Sequence, residues 1–261
     1  MEFRPCIDIH NGRVKQIVGS SLRDQGDRAS ENFVSEKDAA YYATLYRDAG
    51  IKGGHVILLN GGDSPYYEAT REQAFGALGA YRGGLQIGGG VNADNAASFL
   101  EAGASHVIVT SYVFGGGRIH FDKLEKLKSA VGKEHVVLDL SCRKKGGAYY
   151  IVTDRWQNWT DEKVDGVLLE KLSDYCDEFL IHAVDVEGKA GGIETELVSL
   201  LGAYEGNPVT YAGGVHSYED LQLIKKLGNN RLNVTIGSAL DLFGGTLDWK
   251  KVNEICKSSL D

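Results

Sequence analysis

The sequence predicts a single α/β domain over residues 1–261 that closes as a (β/α)8 TIM barrel, with half-barrels at about 1–131 and 132–261. Three observations predict it. Short apolar runs alternate with longer amphipathic stretches along the whole chain, and 261 residues is close to the length at which eight strand–helix units close into one ring. The chain also matches itself. QIGGGV (86–91) and TYAGGV (210–215) align at an offset of 124, VIVTS (107–111) and VTIGS (234–238) at 127, and CIDI (6–9) and VLDL (137–140) at 131. Three co-linear matches at nearly one offset describe two halves of four units each. An open doubly wound sheet is the competing arrangement, but eight units in one domain of this size favour closure.

The predicted strands are, in order, PCIDI (5–9), HVILL (55–59), LQI (85–87), VIVT (107–110), VVLDL (136–140), FLIHAV (179–184), VTY (209–211) and VTI (234–236). Each is nearly all apolar and most are rich in Val and Ile, as parallel strands buried on both faces are. Between them, 38–48, 93–102, 121–131, 164–175, 218–227 and 247–257 carry the spacing of amphipathic helices. In 218–227, for example, Leu221, Ile224 and Leu227 fall on one face while Lys225 and Lys226 are expected to turn away. Two segments are longer than barrel loops require: 19–35 after the first strand and 141–163 after the fifth. Both follow C-terminal strand ends, where barrels carry functional loops. The second reads as a hairpin bearing Trp156 and Trp159, either as a lid or packed on the rim.

Composition excludes several partners. Lys plus Arg number 28 against 36 Asp plus Glu, a net charge of −8, which disfavours a nucleic-acid or anionic-membrane surface. No apolar run approaches the roughly 18 residues of a membrane span, and MEFRPCIDIH lacks the pattern of a secretory leader. The four cysteines (Cys6, Cys142, Cys176, Cys256) show no CxxC spacing, so a reduced protein without zinc or disulfides is expected, located in the cytoplasm, or in a plastid if a transit peptide is removed. A monomer is expected, because no apolar surface stripe stands out. The 34 glycines point instead to tight turns where backbone approaches a ligand.

Asp8 and Asp139 are the sharpest pair. Each interrupts an apolar run, in strands one and five, which stand opposite in a ring of eight. Two opposed carboxyl groups suit a general base and a general acid flanking one substrate; the structural alternative is pairing with a cation such as Lys15 or Arg143. The glycine turns form the second constellation. Gly89 and Gly90 with Thr110 and Ser111, and Gly213 and Gly214 with Gly237 and Ser238, would each present amide N–H groups beside a helix start, near Asn92 and Ser217 respectively. Two such anion sites across one mouth imply a bis-phosphorylated small-molecule substrate. His182 reads equally as a mouth residue or a core histidine. Cys6 reads as a small buried apolar group. The run Arg143–Lys145 reads as a solvated loop that can add attraction for anions.

These motifs bring a family into view. From CIDIHNGRVKQ (6–16) through QIGGGV, VIVTS, VVLDLSCR, the tryptophan segment and YAGGV to TIGSALDLFGG (235–245), the chain resembles the ProFAR isomerases of histidine biosynthesis. IDIHNGRVKQIVG and DLSCRKKGG resemble the eukaryotic-type branch. The resemblance implies an Amadori rearrangement, aminoaldose to aminoketose, with no metal or organic cofactor. It implies Asp8 as the base at ribose C2, Asp139 as the acid at the furanose oxygen, the two glycine–hydroxyl sets as phosphate sites and Trp156 as an aromatic over the substrate. Two departures stand out. A Thr late in strand six is replaced by the stretch His182-Ala183-Val184, leaving His182 or Asp185 to take its place. An Arg after the GGG turn is replaced by Asn92. The rival readings are the cyclase of imidazole glycerol phosphate synthase, a flavin-dependent barrel oxidoreductase, and a barrel that only binds phosphorylated metabolites.

Overall fold

The computed structural model describes residues 1–17, 31–153, 156–187 and 191–258. The first half comprises β1 (Cys6–His10), β2 (Arg13–Ile17), β3 (Glu31–Val34), α1 (Ala39–Asp48), β4 (Gly54–Leu58), α2 (Tyr67–Ala80), β5 (Leu85–Gly88) and α3 (Ala96–Ala102). It continues with β6 (His106–Val109), the short pair β7 (Phe114–Gly115) and β8 (Arg118–Ile119), and α4 (Phe121–Val131). The second half comprises β9 (Val136–Lys145), β10 (Ala148–Thr153), β11 (Asn158–Lys163), α5 (Gly166–Leu172), β12 (Glu178–Ala183) and α6 (Thr195–Gly202). It ends with β13 (Val209–Ala212), α7 (Tyr218–Leu227), β14 (Leu232–Thr235) and α8 (Trp249–Lys257).

All eight apolar runs are strands, and they pair in parallel in the order β1, β4, β5, β6, β9, β12, β13, β14. Residues just ahead of β1 complete the seam. Phe3 bridges in parallel to Val234, the Arg4 amide donates to the Val234 carbonyl at 2.8 Å, and the Val234 amide donates to the Glu2 carbonyl at 2.9 Å. The ring therefore has no open edge between β14 and the N-terminal segment.

Strand alternation then sorts the side chains. Ile7, Val56, Ile87, Val107, Leu138, Phe179, Tyr211 and Val234 belong to the large core shared with the helices. Ile108, Val137, Leu180 and Ala212, with Ile57 packed on them, form a separate small cluster inside the ring. The interior is thus plugged by side chains, as closed eight-stranded barrels require. Inward positions nearer the C-terminal strand ends fall to Asp8, Thr110, Asp139 and His182; nearer the N-terminal ends they fall to His55, Gln86 and Glu178.

Several expectations change. The segment 141–163 is not a loop: β9 runs on to Lys145 and folds back through β10 and β11 in antiparallel pairing, so the expected hairpin is the end of a three-stranded extension. In 19–35, β3 is likewise a strand, pairing antiparallel with β2, which itself pairs antiparallel with β1, while 18–30 lie outside the described residues. The third change is at α3, which starts at Ala96 rather than near Asn92. There the Asn92 carboxamide oxygen accepts from the Asp94 amide at 2.9 Å and the Asn95 amide at 3.2 Å, and Asn95 accepts from the Asn92 amide at 2.9 Å. Such side-chain bonds compete with helix formation. The equivalent helix of the second half, α7, starts where expected, because Ser217 and Asp220 form a reciprocal capping box. Lys225, however, does not turn away: it is buried, with its Nζ donating to the Ser258 carbonyl at 2.6 Å and hydroxyl at 2.9 Å.

Candidate active site

Asp139 enters the mouth from β9 between two neighbours. His182 comes from β12, one strand along, where Leu180 stands level with Asp139 and His182 with Ser141. Its Nδ1 lies 2.9 Å from Asp139 Oδ1. The Thr110 hydroxyl, from the end of β6 on the other side, donates to Oδ2 at 3.2 Å. Both carboxylate oxygens are thus held, and neither by a lysine or arginine. Lys15 pairs with Glu31 at 2.5 Å, and Arg143 Nε donates to Asp185 at 2.8 Å. The departure in strand six is therefore filled by His182. Asp185 accepts instead from Arg143 and from the Lys144 amide at 2.9 Å.

The setting of the His182 imidazole favours its protonated form. Burial works against that charge, but the field and hydrogen bond of Asp139, with Glu187 and Asp8 adding, lift its pKa from 6.5 to about 9. A ring nitrogen facing a carboxylate must be its donor, which fixes the direction of the 2.9 Å bond.

Asp8 enters from β1, which is diametrically opposite β9 in the strand order. Its contacts are weaker. Gln16, reaching back from β2, donates its amide to Asp8 Oδ2 at 3.3 Å and lies 3.5 Å from the Cys6 sulfur. The Cys6 thiol is 3.9 Å from the same oxygen. Burial, with the Glu187 charge adding to it, raises the Asp8 carboxyl from 3.8 to about 7 against the opposing pull of His182, Gln16 and Cys6. The two carboxyl groups thus occupy different environments, one paired with an imidazolium and one poorly solvated.

The glycine turns repeat in backbone as they do in sequence. Gly89 and Gly90 have φ of +102° and +69°; Gly213 and Gly214 have +119° and +75°. A side chain at Gly89 would place its Cβ 2.1 Å from the Leu58 carbonyl oxygen, and one at Gly213 would sit 2.9 Å from that of Ala183. In both halves the turn therefore folds against the end of the preceding barrel strand. Thr110 and Ser111 follow β6, with the Thr110 hydroxyl already committed to Asp139 and Ser111 exposed. Gly237 lies over β1 and β2, where a Cβ would meet Gln16 at 2.5 Å and Cys6 at 3.4 Å; Ser238 beside it is exposed.

On the β9–β11 extension, Trp159 is exposed and lies between two cations, with Arg143 at 5.5 Å and Lys145 at 5.4 Å from its ring. Trp156 sits at the turn between β10 and β11 with φ of +67°, a left-handed conformation uncommon for a bulky residue. Asp154 and Arg155 lie outside the described residues. Gln16 and Glu187, which act on Asp8, were not singled out by the sequence argument. Only the motif CIDIHNGRVKQ, with Gln16 as its last residue, pointed in that direction.

The chain matches the family model described as "Histidine biosynthesis protein" over residues 2–247. A protein of Medicago truncatula named 1-(5-phosphoribosyl)-5-((5-phosphoribosylamino)methylideneamino) imidazole-4-carboxamide isomerase, chloroplastic, is 56% identical, covering 97% of this chain and 80% of that protein. Isomerases of the same name from Yarrowia lipolytica and Saccharomyces cerevisiae are 47% and 41% identical, covering 94% and 98% of this chain and 93% and 97% of their own lengths. The ring of parallel strands, the repeated glycine turns and these matches agree, and the chain belongs to the histidine biosynthesis protein family.

Proposed function

We propose that this chain is an aldose–ketose isomerase that converts ProFAR to its phosphoribulosyl isomer by an Amadori rearrangement. Family membership and the isomerase names of three relatives support the reaction. The observation that carries the chemistry is the entry of Asp8 and Asp139 into one mouth from opposite strands. Asp8 serves as the base at ribose C2: a carboxylate raised to about 7 is the strongest base a carboxyl group offers at neutral pH. Asp139 serves as the acid at the furanose oxygen. Gly89, Gly90, Thr110 and Ser111 hold one phosphate, and Gly213, Gly214, Gly237 and Ser238 the other. Because the Thr110 hydroxyl serves Asp139, Ser111 supplies the free hydroxyl of the first site. Trp156 and Arg143 contribute from the β9–β11 extension. The reaction needs no metal or organic cofactor, since both proton transfers fall to side chains. A flavin barrel would leave the first-half glycine turn unexplained.

The test is a coupled assay with the bis-phosphorylated ribotide. Turnover by the wild type is expected, and Asp8→Asn and Asp139→Asn should each lower kcat about 100- to 10,000-fold with KM nearly unchanged. A variant that keeps wild-type kcat would remove its residue from the mechanism. No turnover by the wild type would remove the reaction itself.

A further inference from the structure

The Amadori sequence asks one carboxyl group to give a proton at a pH where an isolated carboxyl has none. Asp139 is held by the one histidine that touches either catalytic carboxyl among the described residues, through a 2.9 Å contact from Nδ1 to Oδ1. Its other oxygen is fixed by Thr110 at 3.2 Å. We propose that Asp139 and His182 act as a dyad in which His182, as a positioning residue behind Asp139, stores the proton that opens the sugar ring. The proposal rests on the isomerase reading and adds the source of its acid.

The groups that face His182 explain why it can hold that proton. Asp139 lies against it from β9, and Asp8 on β1 and Glu187 after β12 act on it through their charges, so that three carboxyl groups favour the imidazolium. His55, inside the ring on β4, stays neutral: its own burial, then Arg4 and His182, lower it to about 3.

The steps balance. The Nδ1 proton passes to the Asp139 carboxylate and on to the furanose oxygen. The C1–O bond pair goes to that oxygen, while the nitrogen lone pair forms the C=N bond of the Schiff base. Neutral His182 and ionised Asp139 remain. Asp8 then takes the C2 proton, and the C2–H electrons form the enaminol as the C=N pair returns to nitrogen. In the last step Asp8 returns its proton to C1, the O2 hydroxyl becomes the ketone, and its proton restores the dyad. No proton is gained or lost overall, and no co-reactant is needed.

His182→Asn separates proton storage from simple orientation, because an Asn amide nitrogen can occupy the Nδ1 position and donate to Asp139 without titrating. For the wild type the rate should fall on the alkaline side near pH 9, where the dyad loses its proton. For His182→Asn that limb should move down by at least one pH unit, with kcat at pH 8 reduced about 10- to 100-fold and KM changed less than about 3-fold. The double variant with Asp139→Asn should be no slower than Asp139→Asn alone. An alkaline limb in the wild-type place for His182→Asn would overturn the proposal. A second readout needs no turnover: the titration midpoint of the His182 ring nitrogens, followed by NMR, should drop when Asp139 is replaced by Asn. An unchanged midpoint would also overturn the dyad. Absence of turnover in the wild type, with that midpoint still shifting, would reject the isomerase reading while leaving the dyad standing.

Discussion

At the scale of a residue, Asp8 shows how function and stability oppose each other. Its carboxyl titrates at about 7 in the fold against 3.8 ordinarily, chiefly because burial strips its solvent. A carboxyl raised in this way contributes stability that is fully present below about pH 3.8 and lost as pH rises through about 7, where the fold must accept a poorly solvated charge. The same titration that suits Asp8 to its proposed role as base therefore weakens the fold. Asp8→Asn, which the proposed mechanism expects to be nearly inactive, should be more stable than the wild type at pH 8 by about 1–3 kcal/mol, with the gap closing toward pH 5. Thermal melts of both proteins across that range check the sign; parallel curves would show that Asp8 is better solvated than its surroundings imply. The raised His182 contributes stability of its own, fully present below about pH 6.5 and lost as pH rises through about 9. Asp8→Asn should leave most of this second loss in place.

At the scale of an element, legibility in the sequence follows from how local the determining interactions are. The eight barrel strands were readable because burial on both faces forces an apolar run. Helices α4 and α7 fall on the expected residues, since each has an uninterrupted apolar stripe and α7 its own capping box. Helix α3 was misplaced by the Asn92–Asn95 bonds, and β2 escaped because RVKQI alternates too briefly to separate from loop. Gln16 and Glu187 escaped for a different reason: what matters is where the fold delivers them, and nothing in their own neighbourhoods records that. The glycine turns were legible because they are encoded twice. They also differ internally in a testable way. Gly89 combines φ of +102° with a Cβ position 2.1 Å from the Leu58 carbonyl oxygen, whereas Gly90, at φ +69°, has nothing within 4 Å. Gly89→Ala should cost about 2–4 kcal/mol of stability through backbone displacement. Gly90→Ala should cost about 1 kcal/mol, the left-handed penalty alone, and raise KM for the phosphorylated substrate because its methyl enters the space offered to the anion. Denaturant unfolding and KM of the two variants separate these effects, and equal stability losses would contradict the geometry.

At the scale of the whole molecule, the barrel carries its proposed catalytic carboxyl groups at one end and much of its polar structural bonding at the other. Glu178 opens β12 at the N-terminal face, 2% exposed, and ties four parts of the ring together. It forms an ion pair with Arg4 of the segment that closes the seam, accepts from Gln86 of β5 at 2.8 Å, and accepts from the Thr210 hydroxyl of β13. None of this was legible, because the Arg4 and Gln86 partners lie 174 and 92 residues away in sequence. Removing Glu178 would leave a mostly buried guanidinium with the exposed Glu2 carboxylate at 3.3 Å as its remaining ion-pair partner, and the Gln86 amide and Thr210 hydroxyl without their acceptor. Glu178→Ala should therefore destabilise the protein by about 3–5 kcal/mol. Glu178→Gln should cost less, because its carboxamide oxygen still accepts a hydrogen bond. Since the apolar layer of Ile108, Val137, Leu180 and Ala212 separates this end from Asp8 and Asp139, kcat of whatever fraction remains folded should stay within about 2-fold of wild type. Urea unfolding paired with kcat at a temperature where both proteins are native makes the comparison. A variant that kept its stability would mean that the N-terminal seam does not depend on this cluster. A large fall in kcat without unfolding would mean that the two ends of the barrel are coupled through its core.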